Sequence, residues 1–208
     1  MTKTRLIVFA TLWEAEGALD VLHAAPTSSP LLYEWPGGLI LISGVGAIQA
    51  AIQTTQHLPH VDEVWNFGIV GALNPSILFG ETKRVSLVGK HLDLPKETDS
   101  HSKEFGSKHL PVIEVPPLNN WRLLTSDYPI HDVSIRDALA SKWDVVDMEG
   151  YGIVSAARVA GKPCTLWKVV SDLCCAGGWE TIGKRKNELN NKLADAVCTA
   201  FEWQSKNN

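Results

Sequence analysis

The sequence predicts an α/β domain, and three observations carry that prediction. Short apolar, strand-like runs alternate with segments whose apolar residues recur at three- and four-residue spacing. Glycine-bearing turns follow several of those runs. At 208 residues the chain can bury about 70% of the surface its unfolded form exposes, so one core over residues 1–208 needs no metal or disulfide staple.

In chain order, Leu6 to Ala10 reads as a strand feeding a helix with apolar positions Leu12, Ala15, Leu19 and Leu22. Leu31 to Trp35 and Leu39 to Ser43 read as a hairpin turning at Pro36-Gly37-Gly38. Ser43-Gly44-Val45-Gly46 opens a helix with Ala47, Ile48, Ala50, Ala51 and Ile52 on its apolar side, and Val61 to Asn66 is the next buried strand. Gly68 to Gly80 is small and apolar, and Thr82 to Val88 is strand-like. His91 to Asn120, with four prolines and little periodicity, predicts a long irregular excursion. Order returns with Leu123 to Ser126, a helix near Val133 to Lys142 and a strand from Asp144 to Val146. A helix from Met148 to Ala160 stops at Gly161 and Pro163, and the buried strand Cys164 to Val170 follows. Leu189, Leu193, Ala196, Val197, Ala200 and Phe201 mark the last helix.

Composition excludes several classes. With 19 Lys+Arg against 23 Asp+Glu, and no basic cluster beyond Lys184-Arg185-Lys186, the chain is not suited to a phosphate backbone, so no nucleic acid partner is expected. No apolar run approaches the roughly 20 residues of a membrane span. The opening Met1 to Glu16 is too short in its apolar part and too acidic for a secretory signal, which predicts a cytoplasmic protein. Cys164, Cys174, Cys175 and Cys198 show no CxxC spacing and read as reduced packing residues, with no metal or other cofactor expected.

Four polar constellations fall at the carboxyl ends of predicted strands, where open α/β sheets place ligands. Glu14 and Glu16 can equally be solvated carboxylates in a first helical turn, favoured by the helix dipole. Gly44-Val45-Gly46 can bring backbone N–H groups to a polar ligand or be a plain tight turn; it lacks the third glycine of a dinucleotide fingerprint, and no P-loop is present. Asp147-Met148-Glu149 opens a helix whose Gly150, Gly152, Ser155, Ala156 and Ala157 are all small, so that helix packs closely on a neighbour. Ser171-Asp172 ends a strand before the loop Leu173 to Gly178, where a carboxylate can cap a helix or donate a proton.

Taken in order, six segments resemble the nucleoside phosphorylase and nucleosidase superfamily over nearly the whole chain. They are Ser43-Gly44-Val45-Gly46 with its Ala-rich helix, Asn66 to Leu73, Gly80-Glu81, Thr125-Ser126-Asp127, Val146 to Gly150, and Val169 to Asp172. The resemblance implies a three-layer α/β/α sandwich around a central mixed sheet that cleaves the N-glycosidic bond of a purine-type nucleoside. Glu149 is similar to the family carboxylate that binds ribose hydroxyls, and Met148 to its apolar neighbour. Asp172 looks like the acid that donates to the leaving base. In Thr11 to Glu16, Glu16 matches the glutamate that activates water, with Glu14 as second choice. Asp147, Ile69, Val70, Gly71 and Ser171 complete the substrate-binding set that the resemblance implies.

These roles agree with the chemistry. Cleavage passes through an oxocarbenium-like sugar, so an acid at the base and carboxylates at the sugar both lower the barrier. The acid must arrive protonated, which closure of the Leu173 to Gly178 loop could favour by excluding water. A phosphorylase needs arginine or backbone donors for phosphate, yet Thr11-Leu12-Trp13-Glu14 has no glycine or arginine and Asn66 to Leu73 has no arginine, so water is the expected nucleophile. Ile69 and Pro129 depart from the small hydroxyl residue and the aromatic of the methylthioadenosine/S-adenosylhomocysteine branch. The opening instead resembles futalosine hydrolases of menaquinone biosynthesis. Eight Trp, with the family's habit of pairing subunits beside the site, predict a homodimer.

Overall fold

A computed structural model describes residues 3–91, 113–115 and 120–207. Its strands are β1 (Arg5–Phe9), β2 (Ala25–Pro26), β3 (Leu32–Trp35), β4 (Gly38–Ile42), β5 (Glu63–Ala72), β6 (Thr82–Lys90), β7 (Ile113–Glu114), β8 (Trp121–Thr125), β9 (Val145–Asp147) and β10 (Cys164–Asp172). Its helices are α1 (Leu12–Val21), α2 (Ala47–His57), α3 (Val133–Ala140), α4 (Gly150–Val159), α5 (Gly178–Lys184) and α6 (Lys186–Asn207).

Strand β1 shows why the fold has three layers. Its residues Leu6 to Phe9 are apolar without alternation because both faces are covered, as buried parallel strands require. Ile7 and Phe9 pack with Trp65, Phe67, Ala15 and Ala18 under α1 and α6, where Leu189, Leu193 and Val197 supply the facing stripe. Leu6 and Val8 point the other way, onto Ala50 of α2 and Ile153 and Ala157 of α4. The α/β/α sandwich is therefore built as expected around a mixed sheet: β1–β4, β1–β5, β5–β10, β6–β8 and β8–β9 pair parallel, and β2–β3, β3–β4, β5–β9, β6–β7 and β6–β10 pair antiparallel.

The sheet runs β10-β6-β8-β9-β5-β1-β4-β3-β2, with β7 beside β6. Because β10 also pairs with β5, the first five of those strands close on themselves, and only the β1 side remains an open sheet. Sequence alternation alone does not reveal this closure. The glycines of Asn66 to Ala72 mask the same event locally: β5 runs to Ala72, beyond the strand end expected at Asn66. Strands β2 and β7 and helix α5 were also not legible. Most of the excursion expected over 91–120 lies outside the described residues. Among the described residues, no helix is long and apolar enough to cross a membrane.

The small residues of α4 find their neighbour in α2. A Cβ on Gly152 would lie 2.0 Å from the Ala47 carbonyl oxygen, so only glycine permits this helix crossing. That contact fixes the start of α2 against the start of α4.

Candidate active site

One cavity, about 780 Å³ counted to its open mouth, gathers the polar strand ends. It is lined by Glu14 after β1, Val45 after β4, Ile69, Val70 and Gly71 of β5, Asp147, Met148 and Glu149 after β9, and Ser171 and Asp172 at the end of β10. Tyr128 to His131, Cys174 and Trp179 close its other side.

Glu14 occupies the third position of α1 and reaches back as the glutamate of a capping box does: its Oε2 accepts the Thr11 N–H at 2.9 Å and the Thr11 hydroxyl at 2.7 Å. Its Oε1 accepts the Ile69 N–H at 3.1 Å. Three of the roughly four acceptor positions of a carboxylate are thus filled, leaving one for the cavity. Burial raises the Glu14 pKa, opposed by the Thr11 hydroxyl, the two N–H donors and the Lys168 ammonium.

Glu16 is not part of this arrangement. Two residues further along α1 it has turned about 200° around the helix axis, and it is exposed to solvent outside the cavity. Of the two glutamates, the capping geometry at Thr11 brings Glu14, the second choice in the sequence, to the cavity wall.

Glu149 precedes α4, is buried, and accepts the Gly46 N–H on Oε1 at 2.9 Å. Among the described residues its Oε2 takes no protein donor. Burial first, and then the Asp147 charge, push its pKa up to about 7. Met148 lies beside it on the cavity wall, half-buried.

Asp147 lines the same wall, but its oxygens are committed to the protein. Oδ1 accepts the Thr125 hydroxyl at 2.7 Å, and Oδ2 accepts the Gly150 N–H at 2.9 Å and pairs with Lys168 Nζ at 2.9 Å. Lys168 is fully buried in β10. Sequence reading passed it over as part of an apolar strand, although a lone lysine between Trp167 and Val169 was the available signal.

Asp172 pairs in register with Gly71, three residues along β5 from the Gly68–Lys168 pair, which separates the two ends of the site by roughly 10 Å. Its Oδ1 accepts the Cys174 N–H at 2.8 Å. The Ser171 hydroxyl has one proton for two acceptors, the Val70 carbonyl at 3.2 Å and Asp172 Oδ2 at 2.8 Å. Burial pushes the Cys164 and Cys174 thiols up to about 12, so neither is a thiolate. Among the described residues no cluster of His, Cys, Asp and Glu is arranged to hold a metal.

No protein-family model matches the chain, and no curated protein sequence does. Solved structures share its fold. A Helicobacter pylori MTAN variant with 5′-methylthioadenosine in its active site superposes with a TM-score of 0.83 at 16% identity, over 97% of this chain and 99% of that one. The futalosine hydrolase of Helicobacter pylori gives 0.82 at 17% identity, over 97% and 98%. The MTAN of Chlamydia trachomatis, bound to MTA, gives 0.71 at 23% identity, over 96% and 98%. The chain therefore shares the fold of these structures over nearly its whole length.

Proposed function

We propose that the protein is a nucleosidase that hydrolyses the N-glycosidic bond of a purine-type nucleoside carrying a modified 5′ position. The observation that carries this reading is the placement of Glu14, Glu149 and Asp172 around one cavity. Glu14 holds and deprotonates the attacking water with its remaining acceptor position. Glu149, through Oε2, binds ribose hydroxyls and offsets positive charge on the sugar. Asp172 protonates the departing base, and Ser171 turns its hydroxyl to follow the proton. General acid help of this kind is worth roughly 10²–10⁴ in rate.

Ile69 and Pro129, which both line the cavity, support futalosine or aminodeoxyfutalosine as substrate, and with it a cytoplasmic place in menaquinone biosynthesis. Methylthioadenosine or S-adenosylhomocysteine is the second reading, supported by the fold likeness to MTAN structures.

The homodimer expected from the sequence acquires a different basis. Six of the eight Trp are buried or half-buried, so the single core absorbs most of them. Apolar surface lies instead on α2, where Ile48 and Ile52 are 77% and 51% exposed, next to Val45 on the cavity wall. Pairing of two copies through that face would cover it. Sedimentation at micromolar concentration should give twice the chain mass.

The test of function is base release from futalosine, aminodeoxyfutalosine, methylthioadenosine and inosine, each with and without phosphate. Release of base and free sugar from a 5′-modified substrate supports the reading. No release from any of them overturns it.

A further inference from the structure

Lys168 is charged, fully buried and paired with Asp147 Oδ2 at 2.9 Å, the two side chains being 2% and 1% exposed. A pair this dry is a costly way to hold a fold, since apolar residues of similar volume commonly stabilise as well or better. Its retention calls for another reason, and the position of the ammonium supplies one. Lys168 pairs in register with Gly68, and a Cβ on Gly68 would lie 3.3 Å from Lys168 Nζ and 3.4 Å from Glu14 Oε1. The ammonium and the Glu14 carboxylate thus flank one point at Gly68, each close enough that an added Cβ would touch it.

We propose that Lys168, held by Asp147, is a positioning residue for Glu14: it fixes the charge and orientation of that carboxylate from behind, and Asp147 holds the lysine and not the sugar. The proposal rests on the reading of Glu14 as the group that activates water. Asp147 is itself oriented by a relay, for the Tyr151 N–H donates to Thr125 Oγ1 at 2.9 Å and the Thr125 hydroxyl donates to Asp147. The start of α4 is thereby connected to the base at the start of α1.

The charged and titratable groups facing this cluster come from three directions. Glu14 projects from α1, Asp147 and Glu149 from the β9–α4 junction, and Lys168, Cys164 and Asp172 from β10; β5 contributes only the Ile69 N–H. Cys164 is neutral, and Asp172 lies at the other end of the site. Among the described residues, Lys168 is therefore the cation shared by Glu14, Asp147 and Glu149. Removing the lysine must make Glu14 harder to ionise, and removing the Asp147 charge must make it easier, by leaving the ammonium to Glu14 and Glu149 alone.

A carbon-detected NMR titration of the Glu14 carboxyl in the ligand-free protein reads this directly. Lys168→Met is expected to move its midpoint up by about one pH unit or more, Asp147→Asn to move it down, and Lys168→Arg to leave it near its original place. If a single variant fails to fold, the double variant D147N/K168M removes both members of the buried ion pair together, and its Glu14 should titrate above the parent's, because Lys168 and not Asp147 acts directly on Glu14. Midpoints that stay fixed, or that move the same way in both single variants, overturn the proposal. Kinetics supply the second readout: Asp147→Asn should lower kcat with KM within about threefold, whereas a sugar ligand would raise KM. If the midpoints move as expected but the parent cleaves no nucleoside, the nucleosidase reading fails and the positioning role stands. If the parent is active and the midpoints do not move, the positioning role fails alone.

Discussion

Gly46, at the start of α2, donates its N–H to Glu149, at the start of α4, across 2.9 Å of space and 103 residues of sequence. The bond has a chemical consequence. A glycine turn running into a helix N-terminus is a ready anion site, and here a protein carboxylate already fills it. Phosphate would have to displace Glu149 and then meet the Glu14 carboxylate on the neighbouring wall, with no arginine among the described residues that line the cavity.

Base release is accordingly expected to be independent of phosphate. Rates in phosphate-free buffer and in buffer with phosphate should agree within about twofold, and the sugar product should be free ribose or its 5′-modified form. Detection of a sugar 1-phosphate would assign water's role to phosphate and contradict the electrostatics of the Gly46–Glu149 pair.

The two glutamates of α1 should separate cleanly. Glu14→Gln keeps the size and some hydrogen-bonding capacity of the side chain but removes the base, so turnover at saturating substrate should fall by about 10² or more. Glu16→Gln alters an exposed carboxylate outside the cavity and should leave turnover within about twofold. The reverse pattern would restore Glu16 as the base.

The difference between those two residues shows where the sequence is readable. The alternation of strands and helices, the close packing of α4 and the gathering of polar groups at strand ends are all written in local patterns of apolar and small residues. Whether Glu14 or Glu16 enters the cavity depends on the Thr11 cap, a matter of about 200° of helix rotation that a short motif does not resolve. Lys168 was hidden for a related reason. Its partners Asp147 and Glu14 are distant in sequence, and only the pairing of β10 with β5 brings the lysine to Gly68. Closure of the five strands is likewise a long-range event with no local signature.

Stability should depend on pH in a direction opposite to that of ordinary surface carboxylates. Glu149 is raised from 4.5 to about 7, and Glu14 is also raised, both chiefly by burial. A carboxyl whose folded pKa exceeds its unfolded value binds protons more tightly in the fold. Its contribution is fully present below pH about 4.5 and is lost as pH rises through about 7. The melting temperature of the ligand-free protein should therefore rise as pH is lowered from about 8.5 to about 5.5, and Glu149→Gln should raise it at the alkaline end and flatten the slope. A melting temperature that falls over that interval, or a slope unchanged by Glu149→Gln, would remove Glu149 as the source.

Gly152→Ala tests the link between packing and site. The added Cβ would meet the Ala47 carbonyl at 2.0 Å, so α2 and α4 must part. A loss of about 1–3 kcal/mol in denaturant unfolding is expected, as for other overpacked contacts. The same shift lengthens the Gly46–Glu149 bond, so KM should rise together with any fall in kcat.

Asp172→Asn isolates the acid. The new amide can still accept the Cys174 N–H through its oxygen, and its nitrogen can donate to Ser171 Oγ while that hydroxyl turns to Val70, so each bond now made by Asp172 has a counterpart and the fold should survive. What is lost is the transferable proton. Turnover on a purine nucleoside should fall by about 10² or more. A riboside whose leaving group departs as a stable anion, such as a nitrophenolate, has no need of that proton and should lose far less, while Glu14→Gln should impair both substrates because each still requires water at the sugar. Equal losses on the two substrates in Asp172→Asn would show that Asp172 acts by binding and not as an acid, and would move proton donation to another group on the Tyr128–His131 wall of the cavity.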